Sequence, residues 1–176
     1  MPSALHTANL RKDARLDVQA INECLELINL GARPVVASTL CGMSNVDAIR
    51  LFRMTNNARA PRGQLPSDPN WIFDRQTQQV EATAFVALYR EAARLTPSAS
   101  QAKLLISTWS VHKSRYASPR LDINRAYVIL KLLKCGDIQL SACKSCKAAK
   151  LIRPIDNDCH RCPVCRSAKE RSEGAH

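Results

Sequence analysis

The sequence predicts a mostly α-helical protein, with an N-terminal helical domain that includes a helix-turn-helix-like segment and a small C-terminal four-cysteine, zinc-ribbon-like module. Three observations carry this expectation. Apolar residues recur every three to four positions between about Asn9 and Cys135, the period of helices with one buried face. Glycines and prolines fall between the periodic stretches rather than inside them. After Gly136 the chain becomes short, polar and cysteine-rich. The expected organisation is a helical domain over 1–135, a zinc-binding module over 136–168 and a flexible tail over 169–176.

Leu10, Ala14, Val18, Ile21, Leu25 and Ile28 mark a long amphipathic helix from about Asn9 to Leu30, and Gly31 stops it. Pro34 suits the first turn of a second helix reaching Leu40, and Cys41-Gly42-Met43 contains the flexible residue a sharp corner requires. Ser44 can cap a third helix from Asn45 to Met54, with Val46, Ile49, Leu51 and Phe52 on its apolar side and Asn45, Asp47, Arg50 and Arg53 exposed. Helix, glycine turn and capped basic helix together resemble a helix-turn-helix, which would present Arg50 and Arg53 to DNA. The match is imperfect: the small residue of the first helix is one place off unless Ser38 fills that role, and Ala48 stands where an aliphatic residue is usual. A plain helical hairpin is the alternative.

Asn57 to Asn70 holds three prolines and reads as a surface linker ending on Trp71-Ile72-Phe73, an aromatic cluster suited to anchoring the loop in the core. Further helices are expected over Gln76–Leu95, Ser100–Arg115 and Ile123–Cys135, separated by Pro97 and Pro119. Small strands are expected around the cysteines.

Cys143-Lys-Ser-Cys146 is followed, after fifteen intervening residues, by Cys162-Pro-Val-Cys165. Two such hooks can converge four thiolates on one tetrahedral zinc, and a zinc closed on all sides by sulfur is structural rather than hydrolytic. Cys159-His-Arg-Cys162 offers a competing second hook, with Cys159 or His160 as substitute ligands. Pro163 favours Cys162 and Cys165 by stiffening the turn between them. Neither hook is followed by glycine, since Lys147 and Arg166 occupy those places. Dithiol redox chemistry normally uses one CxxC near a βαβ pattern, and a disulfide framework fits poorly with a chain that opens on no apolar signal sequence. Cys24, Cys41 and Cys135 are expected to be small buried hydrophobes.

A net charge of +11, from 26 Lys and Arg against 15 Asp and Glu, favours a polyanionic partner. From Ser141 onward eight basic residues face four acidic ones, among them Lys144, Lys147 and Lys150 as candidate phosphate contacts, although part of that charge must offset a zinc tetrathiolate. No apolar run is long enough to span a bilayer, which points to a soluble protein. His6, His112, His160 and His176 are scattered, no nucleophile or phosphate-loop motif is present, and the carboxylates alternate with basic residues as on a solvated face. The sequence therefore predicts no enzyme.

Glu26-Leu-Ile-Asn-Leu-Gly-Ala-Arg33, Pro61-Arg-Gly-Gln-Leu-Pro66 with Trp71 and Phe73 behind it, and Gly136-Asp-Ile-Gln-Leu-Ser-Ala-Cys143 leading into the hooks resemble the FlhC family of bacterial flagellar transcriptional activators. The resemblance implies a cytoplasmic subunit of a heterohexamer of two FlhC and four FlhD chains that binds promoter DNA at flagellar operons and recruits RNA polymerase. It also implies one structural Zn²⁺ per chain on Cys143, Cys146, Cys162 and Cys165. The rival readings are a zinc-ribbon nucleic-acid-processing enzyme such as a nuclease, for which no carboxylate cluster able to hold Mg²⁺ is evident, and an adaptor that touches only protein.

Overall fold

The computed structural model describes residues 18–61, 63–116, 119–155 and 161–173. Its chain order is α1 (18–29), α2 (Pro34–Cys41), α3 (Asn45–Asn56), α4 (Asn70–Phe73), α5 (Gln76–Leu95), α6 (Gln101–Arg115), α7 (Ile123–Cys135), β1 (Gln139–Ala142), β2 (Ala149–Ile152) and α8 (Pro163–Glu173). No described helix is long and apolar enough to cross a membrane. The contacts divide into two compact units, Met1–Gly63 with Ala99–Ile106, and Gln64–Ser98 with Ser107–His176.

In the first unit, α1 ends where the sequence places its stop. Ala32 N donates to Leu27 O and Gly31 N to Ile28 O, with Gly31 at φ +94°, a left-handed termination that most side chains resist. Pro34 opens α2, where its missing N–H is no loss. Gly42, at φ +65°, closes that helix, and Ser38 O accepts from both Gly42 N and Met43 N. Ser44 caps α3 by accepting from Asp47 N at 3.1 Å, while its hydroxyl donates to the Asp47 carboxylate at 2.6 Å. Ser38 is buried on α2, and Ala48 is the buried residue of α3. α2 and α3 pack against each other. Val46, expected on the apolar side of α3, is instead 70% exposed, since it stands two residues from buried Ala48 and so on nearly the opposite side of the helix. Arg33 reaches from the α2 N-cap to Gly63 O at 3.2 Å and ties down the proline-rich segment.

The second unit is organised on α5, which packs against α4, α7, β2 and α8. Phe85, Val86, Ile123, Ile129 and Ile138 are buried there, and Trp109 meets Phe85 edge-on with ring centroids 6.4 Å apart. Ile72 anchors the end of the linker in the core. Its aromatic neighbours depart from expectation: Trp71 and Phe73 are half-buried, with the guanidinium of Arg125 over the Trp71 ring at 5.4 Å and that of Arg153 over the Phe73 ring at 5.3 Å.

Asp122 caps α7 by accepting from Asn124 N and Arg125 N, and Gly136 ends it at φ +84°. Cys24 is buried as expected of an apolar cysteine, but Cys41 is only half-buried and Cys135, the last residue of α7, is exposed. The strands form one antiparallel hairpin in the register Gln139↔Ile152, Leu140↔Leu151, Ser141↔Lys150 and Ala142↔Ala149. α8 continues to Glu173, so the first residues of the expected tail are helical.

Candidate metal centre

The hairpin loop and the start of α8 bring Cys143, Cys146, Cys162 and Cys165 together, with all four Sγ atoms within 4.8 Å of one another. Each hook is shaped by its backbone. In the first, Cys143 N donates to Ala148 O at 2.8 Å and Lys147 N to Cys143 O at 3.0 Å, and the return requires φ +63° at Lys147. Lysine thus stands in a left-handed position, which explains why glycine would have suited it. The second hook needs no such residue. Pro163 is the first residue of α8, Arg166 N donates to Cys162 O at 3.0 Å, and the chain simply continues as helix.

The geometry fits a tetrahedral metal. Zinc–sulfur bonds of about 2.3 Å place the sulfurs of a tetrahedron about 3.8 Å apart, and Cys146 Sγ and Cys162 Sγ are separated by 3.7 Å. Backbone donors already point at the sulfurs: Cys162 N at Cys143 Sγ, 3.2 Å, and Cys165 N at Cys162 Sγ, 3.5 Å. Such bonds stabilise thiolate over thiol. The Cys146 N–H, with help from those of Cys162 and Ser145, holds the Cys143 thiol down to about 6 against the opposing effect of burial. Cys165 is pushed up to about 12, chiefly because its thiol shares hydrogen bonds with Cys146 and Cys162. Four thiols this close cannot all ionise without a cation among them. Cys143 and Cys162 are buried, Cys165 is half-buried and Cys146 is exposed. The cluster can hold a metal ion. Four thiolates complete a tetrahedron, leaving no position for an activated water. Cys159 and His160 lie outside the described residues.

The support for this centre comes from α5. Thr83 Oγ1 accepts from Leu151 N at 3.1 Å and donates to Gln79 O at 2.7 Å, while Gln79 Nε2 donates to Leu151 O at 2.8 Å. Gln79 Oε1 also accepts from Arg166 of α8 at 3.3 Å, and Gln76 Nε2 donates to Ser167 Oγ at 2.8 Å. Gln76, Gln79 and Thr83 therefore form a polar stripe that holds both the second strand and the helix bearing Cys165. The sequence does not single these three out, since α5 also carries Thr77, Gln78, Glu81, Arg90, Glu91 and Arg94.

The candidate surface cations divide. Arg50 and Arg53 of α3 are exposed, as are Lys144 and Lys147 in the first hook. Lys150 is not: it is 2% exposed, on a strand where the neighbouring Leu151 is buried as well. It cannot serve as a surface phosphate contact in this fold.

Glu81 is a further departure from a solvated carboxylate face. It is 4% exposed and accepts from Arg120 N at 3.1 Å, Leu121 N at 3.3 Å and the His112 ring Nε2 at 3.0 Å. His112 is fully buried and stacks on Trp109, so the pair braces the α6–α7 connection.

The flagellar transcriptional activator (FlhC) family matches residues 10–174. The chain belongs to this family. Among its relatives, the flagellar transcriptional regulator FlhC of Cupriavidus metallidurans is 28% identical over 140 residues, 77% of this chain and 65% of that protein. The FlhC proteins of Enterobacter cloacae and Variovorax paradoxus are each 24% identical, over 74% and 89% of this chain and 70% and 79% of their own lengths. The aligned part of the chain thus spans just under two thirds of the Cupriavidus relative. Family membership supports a role as a transcriptional activator, and the relatives are named as transcriptional regulators.

Proposed function

We propose that this chain is the DNA-binding subunit of a heteromeric activator, joined with FlhD as two FlhC and four FlhD chains in the cytoplasm, which binds flagellar-operon promoters and recruits RNA polymerase. The observation that carries this reading is the family match over nearly the whole chain. The metal is one structural Zn²⁺ on Cys143, Cys146, Cys162 and Cys165, a choice favoured by the all-sulfur donor set and its spacing. Zinc binding here is folding energy for the hairpin and α8, and no chemistry passes through it.

Two features support the partner assignments. In the first unit Val18, Val35, Val46 and Met54 are 59%, 47%, 70% and 75% exposed, a density of bare aliphatic side chains suited to burial by a protein partner. Arg50 and Arg53 lie on the exposed side of a capped helix following a glycine turn, where side chains of a recognition helix reach a major groove. The test is a gel-shift titration of the FlhC–FlhD complex on a flagellar promoter and on scrambled DNA. Arg50→Ala is expected to weaken promoter binding by about 1 to 3 kcal/mol while partner assembly and metal content persist. Unchanged binding of both DNAs by the Arg50→Ala, Arg53→Ala double variant would move recognition to the linker or the cysteine hooks. Absence of any DNA shift by an assembled complex would leave an adaptor that touches only protein.

A further inference from the structure

Lys150 carries a buried ammonium group: the residue is 2% exposed, and Nζ is itself buried with no hydrogen-bond partner among the described residues. An ammonium group withdrawn from water without a counter-charge is strongly disfavoured, so its position calls for a nearby anion. The hairpin register supplies the direction. Ser141 lies opposite Lys150, and the ladder continues through the bond from Cys143 N to Ala148 O. Because side chains alternate along a strand and cross-strand pairs share a face, Lys150 and Cys143 stand on the same face of the hairpin. Lys150 also lines, with Cys162, a cavity of about 280 Å³ walled chiefly by Val80, Ala84, Ala149 and Pro163. Lys150 therefore shares a hairpin face with the first hook and a cavity wall with Cys162 of the second, in largely apolar surroundings that screen charge weakly.

Resting on the reading of the four thiols as a metal site, we infer that Lys150 is the counter-cation of the metal–tetrathiolate centre. A divalent ion on four thiolates leaves two net negative charges, and Lys150 offsets one of them from within the fold. It is a positioning residue and not a ligand; its effect reaches the metal through space and through the orientation of the hairpin.

The test compares the full-length chain, purified with its partner, with Lys150→Met, Lys150→Arg and Lys150→Glu variants. Zinc release to a chromophoric chelator gives relative affinity, and the thiolate-to-metal charge-transfer bands of the cobalt-substituted protein report the electron density on sulfur. Lys150→Met is expected to weaken metal binding by about 10- to 100-fold, the range for groups just outside the ligand set, with shifted cobalt bands. Lys150→Arg should stay near wild type in both readouts, and Lys150→Glu should be weakest. Equal affinity and spectra for wild type, Lys150→Met and Lys150→Glu would overturn the inference. So would a Lys150→Arg variant as weak as Lys150→Met, since that would make shape rather than charge the cause. A wild-type chain that purifies without metal and takes up neither zinc nor cobalt would instead remove the metal reading itself.

Discussion

Lys147 sits at φ +63°, a conformation that costs a residue with a Cβ roughly 1 to 2 kcal/mol relative to the right-handed helix. Lys147→Gly should therefore leave thermal stability unchanged or raise it by up to about 1 kcal/mol, and Lys147→Val should lower it by about 1 to 3 kcal/mol, as scanning calorimetry would show. The ligand assignment has an equally direct check. Cys162→Ser should lose the metal while Cys159→Ser keeps it, and the reverse pattern in metal analysis would reassign the second hook. Acid should release the metal in a characteristic way. A thiol held at about 6 is already ionised in the metal-free site above that pH, but below it must also give up its proton for the metal to bind. The plot of log affinity against pH should accordingly rise with pH and be steeper by about one unit of slope below pH 6, measured by competition with a chelator of known protonation.

The elements show what a sequence carries and what it does not. α5 and α7 begin and end where the sequence predicts, Gln76–Leu95 and Ile123–Cys135, and for α7 the limits are written in local chemistry: Asp122 caps it, and Gly136 takes the left-handed closing turn. The metal site was legible for the same reason, since CxxC spacing is local and four thiols have few other reasons to gather. α8 was not legible. Its run from Pro163 to Glu173 is strongly polar, and the helix is set by a proline start and by attachment through Gln76 and Gln79, contacts nearly ninety residues distant in sequence. The burial of Lys150 and of Glu81 was hidden similarly, because charge patterning reports composition and not tertiary enclosure. These supports can be measured. Thr83→Val keeps the shape but leaves Leu151 N without its acceptor, and should cost about 1 to 3 kcal/mol in chemical denaturation. Glu81→Ala strands two backbone N–H groups and a buried imidazole together, and should cost more than Thr83→Val by the same measurement.

For the whole molecule, charge is the property that reaches furthest. A net charge of +11 should make DNA association fall steeply with salt. Replacing Lys144 and Lys147 by alanine should reduce the slope of log affinity against log salt by roughly one for each lysine that meets a phosphate. The Lys150→Met replacement should leave that slope alone while it weakens the metal. The two-stranded sheet has a consequence of another kind. A hairpin alone is marginally stable, and it presents rows of unpaired peptide groups on its outer sides. The described structure occupies Leu151 with Gln79 and Thr83, which shields that stretch from other chains only while the hooks keep the hairpin in place. Metal loss would then release an adhesive strand as well as a loosened loop. Chelated protein should become turbid at a rate that climbs with protein concentration, and returning zinc promptly should rescue dilute samples far better than concentrated ones, since in concentrated samples neighbouring chains will already have zipped together.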